Sequence, residues 1–456
     1  MFKKLVAMGL TLSMVSTLFI GCGSTETATT TTTETATTET TTEEVATEEV
    51  ATEEFDIESL EDVVLTYAMP QTQFKDIFQT LADEYHEYRP NITIEFQAIP
   101  DEQFNDLMQT KINLGEAPDI LALEKGVRSK FDPENFVVFE DEPWQDRLID
   151  GMDEYEMSGD DDGQLRTLIM QGPALEGGLL YNTGMFEKYG LEVPTTMDEF
   201  YDVCDALLAE GETPLYASDK DLWTVQIWAC SVATQFMTEA DYDLINANEA
   251  KWADYDQLAE TIDTMAALRQ DGYTNSDYLA ATYDSALTAM AEEEAAMYVM
   301  GTWFIGDVAA INPDVVLGYA AIPQFTTDAG GFPARGGMSI WEGSENIEAA
   351  KDFMNWFSQP ENMDRYMLEW GYYPAYTDQE MDMPEWQQII NDDFIIPDNI
   401  GYEIINSNVS AGITVDAFWG YQQEVIMGIS TGAEALAKFD ADYAVQAKTA
   451  GVEAFQ

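Results

Sequence analysis

The chain has 456 residues, with 19 Lys+Arg against 86 Asp+Glu and a formal net charge of −67. A charge of that sign and size excludes a nucleic-acid-binding surface, which must be basic, and opposes direct docking on anionic lipid. Three cysteines do not make a disulfide framework, and a single histidine, His86, leaves little room for nucleophile–histidine catalysis or the usual zinc sites.

Lys3 and Lys4 precede an apolar run, Leu5 to Ile20, followed by "LFIGC". The run is too short for a stable membrane span and has the flanks of a secretory signal. Gly21 before Cys22 resembles a bacterial lipoprotein cleavage box, with Phe19 standing where Leu is usual. That resemblance implies removal of residues 1–21 and lipidation of Cys22, which anchors the chain on the extracytoplasmic face of the cell membrane. Residues 24–54 are almost entirely Thr, Glu and Ala, with the near-repeat "TEEVATEEVATEE" and no aromatic residue before Phe55. Such a segment cannot bury enough apolar surface to offset its ordering entropy, so residues 22–55 are expected to be a lipidated cysteine and a disordered tether, roughly 30 Å long or more. Roughly 400 residues remain, more than one core supports, so two domains or lobes are expected.

"DVVLTYAM" (62–69) reads as a strand ended by Pro70, with Thr72 placed to cap a helix whose apolar face is Phe74, Ile77, Phe78, Leu81 and Tyr85. "NITIEFQAIP" alternates as a strand, a helix follows from about Gln103 to Leu114, and "GEAPDILALEKG" turns into a short buried strand. This β-α-β-α-β order implies parallel strands covered by helices on both faces. The middle of the chain repeats that alternation. "RTLIMQG" and "GGLLYN" are strands, and "PTTMDEFYDVCDALLAEG" is a helix with Thr196 and Glu199 at capping-box spacing and Gly211 as its stop. Helices are expected from 223, 254 and 284, strands at "AAMYVMG" and "VVLGYAAIP", and one more helix over "SENIEAAKDFMNWFSQPEN". The C-terminal third is helical and aromatic-rich. Cys204 falls on a helical apolar stripe and reads as core, while a Cys204–Cys230 bridge is left open. "GDDDGQ" (159–164) lacks calcium-loop spacing and reads as a hairpin turn.

Taken in order, these segments resemble the extracellular solute-binding proteins that serve ABC importers, the branch that includes maltodextrin-binding proteins. "APDIL" (117–121), "GGLLYNTGMFEKYGLEVPTTMDEF" (177–200), "EEEAAMYVMGTWFIGDV" (292–308), "LGYAAIPQ" and "FMNWFSQPENMDRYMLEWGYYPA" carry the resemblance, which covers the chain from about residue 60 to its end. It implies an α/β, two-lobed periplasmic-binding-protein-like fold of type II, with the ligand cleft between lobes. Crossings would lie near 171–175, 319–324 and 371–376. Lobe one would be 56–172 plus 323–373, and lobe two 173–322 plus 374–456.

A sugar is held by flat rings against its C–H faces and by carboxylates, amides and Arg around its hydroxyls. With 10 Trp and 22 each of Tyr and Phe, aromatic content alone does not single out a site. Trp303 is the leading candidate, because it occupies the family's Gly-x-Trp position. Glu176 is a second, a carboxylate beside the Gly177–Gly178 pair at the first crossing. Trp223 and Trp228 follow Asp219 at a helix start, and Glu124 and Arg128 lie beyond "PDILAL". Arg335, Gly336 and Gly337 bring backbone close to a lobe edge, and Tyr372 and Tyr373 stand at the last crossing. The expected function is capture of a sugar or oligosaccharide by hinge closure and delivery to ABC permease subunits, by a monomer with no cofactor, no metal and no catalytic residue. The same fold holding a cationic or peptide ligand, and a secreted glycoside hydrolase, are the alternatives. A carboxylate pair for the latter can be drawn anywhere among so many acids.

Overall fold

The sheets are built from the alternating segments expected, but the chain enters them in two directions. A computed structural model describes residues 57, 61–124, 131–150, 152, 164–172, 174–328, 330–334, 336–395, 413 and 415–456. The leader, Cys22, the acidic tether, Arg128, Arg335 and most of the 159–164 stretch lie outside them. In chain order, β1 (Val63–Pro70), α1 (Asp76–Tyr88), β2 (Ile92–Ile99), α2 (Asp101–Leu114), β3 (Ile120–Glu124) and β4 (Leu168–Ile169) come first. Then follow β5 (Ala174–Glu176), β6 (Gly178–Asn182), α3 (Thr183–Tyr189), α4 (Met197–Glu210), β7 (Thr213–Tyr216), α5 (Leu222–Ala233), α6 (Glu239–Asn246) and α7 (Asp256–Gln270). The remainder is α8 (Tyr283–Ala291), β8 (Ala295–Met300), α9 (Trp303–Ile311), β9 (Leu317–Ala320), β10 (Phe332–Ala334), β11 (Gly336–Ile340), α10 (Ile347–Phe357), α11 (Pro360–Trp370), α12 (Glu385–Ile390), α13 (Asp416–Ile426) and α14 (Gly432–Ala450).

The first sheet has the order β2-β1-β3-β11-β4. β1 runs parallel to β2 and β3, as the βαβ pattern requires, whereas β11 is antiparallel to both β3 and β4. Both its faces are covered. Leu65, Tyr67 and Met69 of β1 pack with α1, α10 and α11, while Ala68, Leu121 and Leu123 meet Phe104, Met108 and Ile112 of α2. The second sheet, β7-β8-β6-β9, keeps only the β7–β8 pair parallel; β6 is antiparallel to β8 and to β9. The middle of the chain therefore departs from an all-parallel arrangement, because β8 and β9 return to β6 from more than a hundred residues away. Each body has its own core, the second built around Phe200, Leu258, Met297 and Phe439.

A separate two-stranded ribbon pairs β5 antiparallel with β10. Beside it the Gly172 N–H donates to the Tyr373 carbonyl at 2.8 Å. A Cβ at Gly172 would stand 2.1 Å from the Pro374 oxygen, so glycine is what lets these two strands of the passage touch. The 319–324 stretch, expected to hold the second crossing, bonds the second body at its far end. The Ile322 carbonyl accepts from Gln235, and Gln324 bonds Trp228, Thr261 and Thr264, which keeps this stretch on the α5 and α7 layer until β10 leaves it.

Local signals behaved unevenly. Thr196 caps α4 by accepting from the Glu199 N–H, and Gly211 ends it in the left-handed region. The Glu199 carboxylate, however, turns to Thr195. Thr72 does not cap α1, which begins at Asp76; its N–H and hydroxyl donate to Asp101 instead, tying the end of β1 to the start of α2. The helix expected over 344–362 is two helices, α10 and α11, because Pro360 cannot continue the first. Cys204 and Cys230 are buried thiols rather than a bridge. His86 lies off the apolar stripe, its Nδ1 2.7 Å from the Ile92 carbonyl.

Candidate functional site

A pocket opens at the carboxyl ends of β1 and β3, where ligand sites of open α/β sheets gather. Tyr67 of β1 and Ala122 and Leu123 of β3 form its floor. Met170 and Gln171, leaving the first sheet toward the ribbon, and Gly336 and Gly337 at the start of β11 form one wall. Tyr366 and Trp370 of α11, with Tyr372 just beyond, form the other, and Gln73 and Phe78 close the rim. Gly337 must be glycine, since a Cβ there would lie 2.0 Å from the Leu168 carbonyl across the strand pair.

The aromatic wall is ordered by ring contacts. Trp370 and Tyr372 stack with centroids 5.5 Å apart and planes 12° from parallel. Phe78 meets both Tyr67 and Tyr366 edge to face, at 5.7 and 5.4 Å. Two polar atoms in this lining lack a partner. Tyr67 is fully buried and its hydroxyl makes no hydrogen bond, and the indole N–H of Trp370, a residue 7% exposed, makes none either. Burial, then the neighbouring Tyr366, pushes the Tyr67 phenol well above its ordinary value, so it stays protonated and able to donate. An unpaired buried hydroxyl or N–H costs about 1–3 kcal/mol, a cost that a bound acceptor removes. No charged side chain is found among the described residues that line the pocket. Its cavity volume is about 30 Å³, against roughly 300–1,000 Å³ for small-molecule sites, so an occupant of that size requires the pocket to widen.

Of the residues singled out from sequence, Gly336, Gly337 and Tyr372 line this pocket. Tyr372 packs against the cores of both bodies, which suits a group at a crossing. Glu124 ends β3 opposite Gly336, and Glu176 pairs with Phe332 in the ribbon, so their backbones border the site. Trp303 begins α9 in the second body, half-buried, its ring folded over Gly301. Trp223 is half-buried too, its ring 5.2 Å from Tyr283. Trp228 is buried in the second core and its indole N–H already donates to Gln324 at 2.9 Å, so it is a packing residue in this arrangement. Tyr373 is fully buried against the same core. Tyr67, Gln73, Gln171, Tyr366 and Trp370 were not singled out from sequence. Sequence signals touched two of them: Gln171 opens the expected first crossing, and "LEWGYYPA" holds Trp370 two residues before Tyr372.

Comparison with known proteins fits this geometry. The model of the bacterial extracellular solute-binding protein family matches residues 71–364. The multiple sugar-binding protein of Streptococcus mutans is 23% identical over 330 residues, covering 68% of this chain and 74% of that protein. The melibiose/raffinose/stachyose-binding protein MelE of Bacillus subtilis is 22% identical over 301 residues, or 63% and 68% of the two chains. A sugar transporter component from Bacillus licheniformis, solved with stachyose, superposes with a TM-score of 0.67 at 20% identity, over 84% of this chain and 99% of that one. The likeness gives the fold: an α/β, two-lobed type II architecture with a cleft between lobes, the first and second bodies described above being the lobes.

Proposed function

Because the chain belongs to the bacterial extracellular solute-binding protein family, we propose that it is the capture subunit of an ABC importer and that its cargo is a neutral sugar or oligosaccharide. One observation carries this reading: two residues that line an uncharged aromatic pocket, Tyr67 and Trp370, each hold a buried donor, the Tyr67 hydroxyl and the Trp370 N–H, with nothing to bond. A pyranose answers both needs, since its C–H face lies on the Trp370–Tyr372 stack and its hydroxyl oxygens accept from the donors. Gln73 and Gln171 supply amides at the edge, and the backbone of Gly336 and Gly337 allows close approach. Glu124 and Glu176 are proposed as acceptors bordering the site, with Trp303 and Trp223 on the lobe that folds over. The relatives are named as binding proteins, which supports a non-catalytic role here.

In this reading the signal is cleaved, Cys22 carries lipid, and the acidic tether holds a monomeric two-lobed body off the membrane, where the closed form is read by permease subunits. Thermal unfolding in the presence of raffinose, stachyose and maltotriose, beside spermidine and a basic tripeptide, tests the cargo. A saccharide at a hundred times its dissociation constant is expected to add about 2.7 kcal/mol of stability. Stabilisation by the cations alone, or shortened saccharide products in the mixture, would overturn the proposal.

A further inference from the structure

The sequence places a lysine where a helix does not want one. Lys75 is the N-cap of α1, beside the positive end of the helix dipole, in a chain with only 19 basic residues. Its side chain turns away from that helix. The ammonium lies 4.1 Å from the centre of the Trp370 ring and 3.3 Å from the Glu369 carbonyl in the last turn of α11, where a cation is favoured. From there it reaches the second lobe: Lys75 Nζ is 2.7 Å from Asp307 Oδ1 of α9. Asp307 is held in turn, its Oδ2 accepting from the Tyr283 hydroxyl of α8 at 3.1 Å. The two side chains are only 16% and 23% exposed. Arg89–Asp352 stays within the first lobe and Arg269–Asp219 within the second, whereas Lys75–Asp307 joins the lobes beside the pocket.

We propose that Lys75 and Asp307 form a latch that favours the closed form and so sets how tightly the pocket holds its occupant. Each partner is fixed by its own lobe before they meet, Lys75 by Trp370 and Glu369, Asp307 by Tyr283, so little side-chain freedom is lost when the lobes close. That is the condition under which a partly exposed ion pair gains most. Affinity rises because less of the binding energy is spent on moving the equilibrium toward the competent form. The role in ligand affinity rests on the sugar-capture reading; the effect on lobe closure does not.

The test uses the mature chain with Lys75→Met, which keeps the apolar stem over Trp370, Asp307→Asn, and the double variant. Small-angle scattering without ligand is expected to show all three more open than wild type, and to the same degree, because either single change already breaks the pair. Raising the salt concentration moves wild type toward the variants and leaves the variants in place. Raffinose or stachyose, whichever binds wild type, is expected to bind each variant about 3- to 10-fold more weakly. Unchanged scattering in the single variants, or opening that adds in the double variant, overturns the latch. Absence of saccharide binding by wild type, with scattering changed as expected, overturns the sugar reading and leaves the latch standing.

Discussion

Among the described residues each lobe buries one aspartate, Asp119 and Asp219, and the two are held by different kinds of partner. In lobe one, Asp119 has no counter-ion among its hydrogen-bond partners. Its Oδ2 accepts from the Thr66 N–H and hydroxyl, both at 2.8 Å, and its Oδ1 from Ser344 and Asn346 at 2.6 and 3.1 Å. In lobe two, Asp219 accepts from Arg269 Nε and Nη2, both at 2.7 Å, in a bidentate pair whose side chains are 1% and 8% exposed. Neutral donors distribute the cost over two segments, β1 and the turn before α10. The ion pair concentrates it in one partner. In lobe one this network of neutral donors reaches Thr66, one residue from Tyr67 and the pocket. Lobe two is pinned where α5, α7 and α13 meet, with Gln423 of α13 also donating to the Asp219 carbonyl.

The largest expected effect lies on the concentrated side. Arg269→Met leaves a buried carboxylate without its cation and is expected to cost about 3–5 kcal/mol of stability, measured by urea unfolding. Arg269→Met with Asp219→Leu is expected to recover most of that loss, since an apolar pair of similar volume replaces a buried ion pair at little cost. If the single change is as mild as a surface substitution, the contrast between the lobes is wrong.

On the distributed side the effect is smaller and depends on pH. Asp119→Asn turns one acceptor toward Thr66 into a donor, and is expected to cost about 1–3 kcal/mol at neutral pH. Burial raises the Asp119 carboxyl, but hydrogen bonds from Ser344, Thr66 and Asn346 together outweigh it and hold the group below its ordinary value. A carboxyl depressed in the folded state stabilises above its unfolded value, about 3.9, and that stability is lost as pH falls through the folded value. The gap between wild type and Asp119→Asn is therefore expected to narrow below about pH 4. A gap that widens in acid would reverse the assigned sign.

The same contrast explains what could be read from sequence. "APDIL" was legible as a strand entry because Pro118 and Asp119 punctuate an apolar run, and α4 because Thr196 and Gly211 are local signals whose partners lie within four residues. Strand direction in the second sheet was not legible, since β6 meets partners more than a hundred residues away and nothing local encodes their sense. Thr72 looked like a cap until its partner proved to be Asp101, across the β1–α2 corner. The pocket was half legible. Gly336, Gly337 and Tyr372 stood out through punctuation and the crossing, whereas Tyr67 and Trp370 sit on buried faces and read as core. What separates them from core is a missing hydrogen bond, a property of the three-dimensional packing that no spacing records. Trp228 shows the opposite case, a buried indole whose N–H is satisfied by Gln324 from 96 residues away.

Tyr67→Phe gives the smallest and most discriminating effect, because it removes an atom that stabilises nothing in the ligand-free chain. The ring contacts with Phe78 and with Phe96, whose centroid is 5.6 Å away, are kept, while a buried hydroxyl with no partner is deleted. Stability without ligand is expected to stay level or rise by a few tenths of a kcal/mol. Saccharide affinity is expected to fall about tenfold, the worth of one hydrogen bond of about 1.4 kcal/mol. Core mutations do the reverse, lowering stability first and binding only through it. Calorimetric titration beside urea unfolding separates the two: lost stability with unchanged affinity would make Tyr67 a core residue and move the binding surface elsewhere in the cleft.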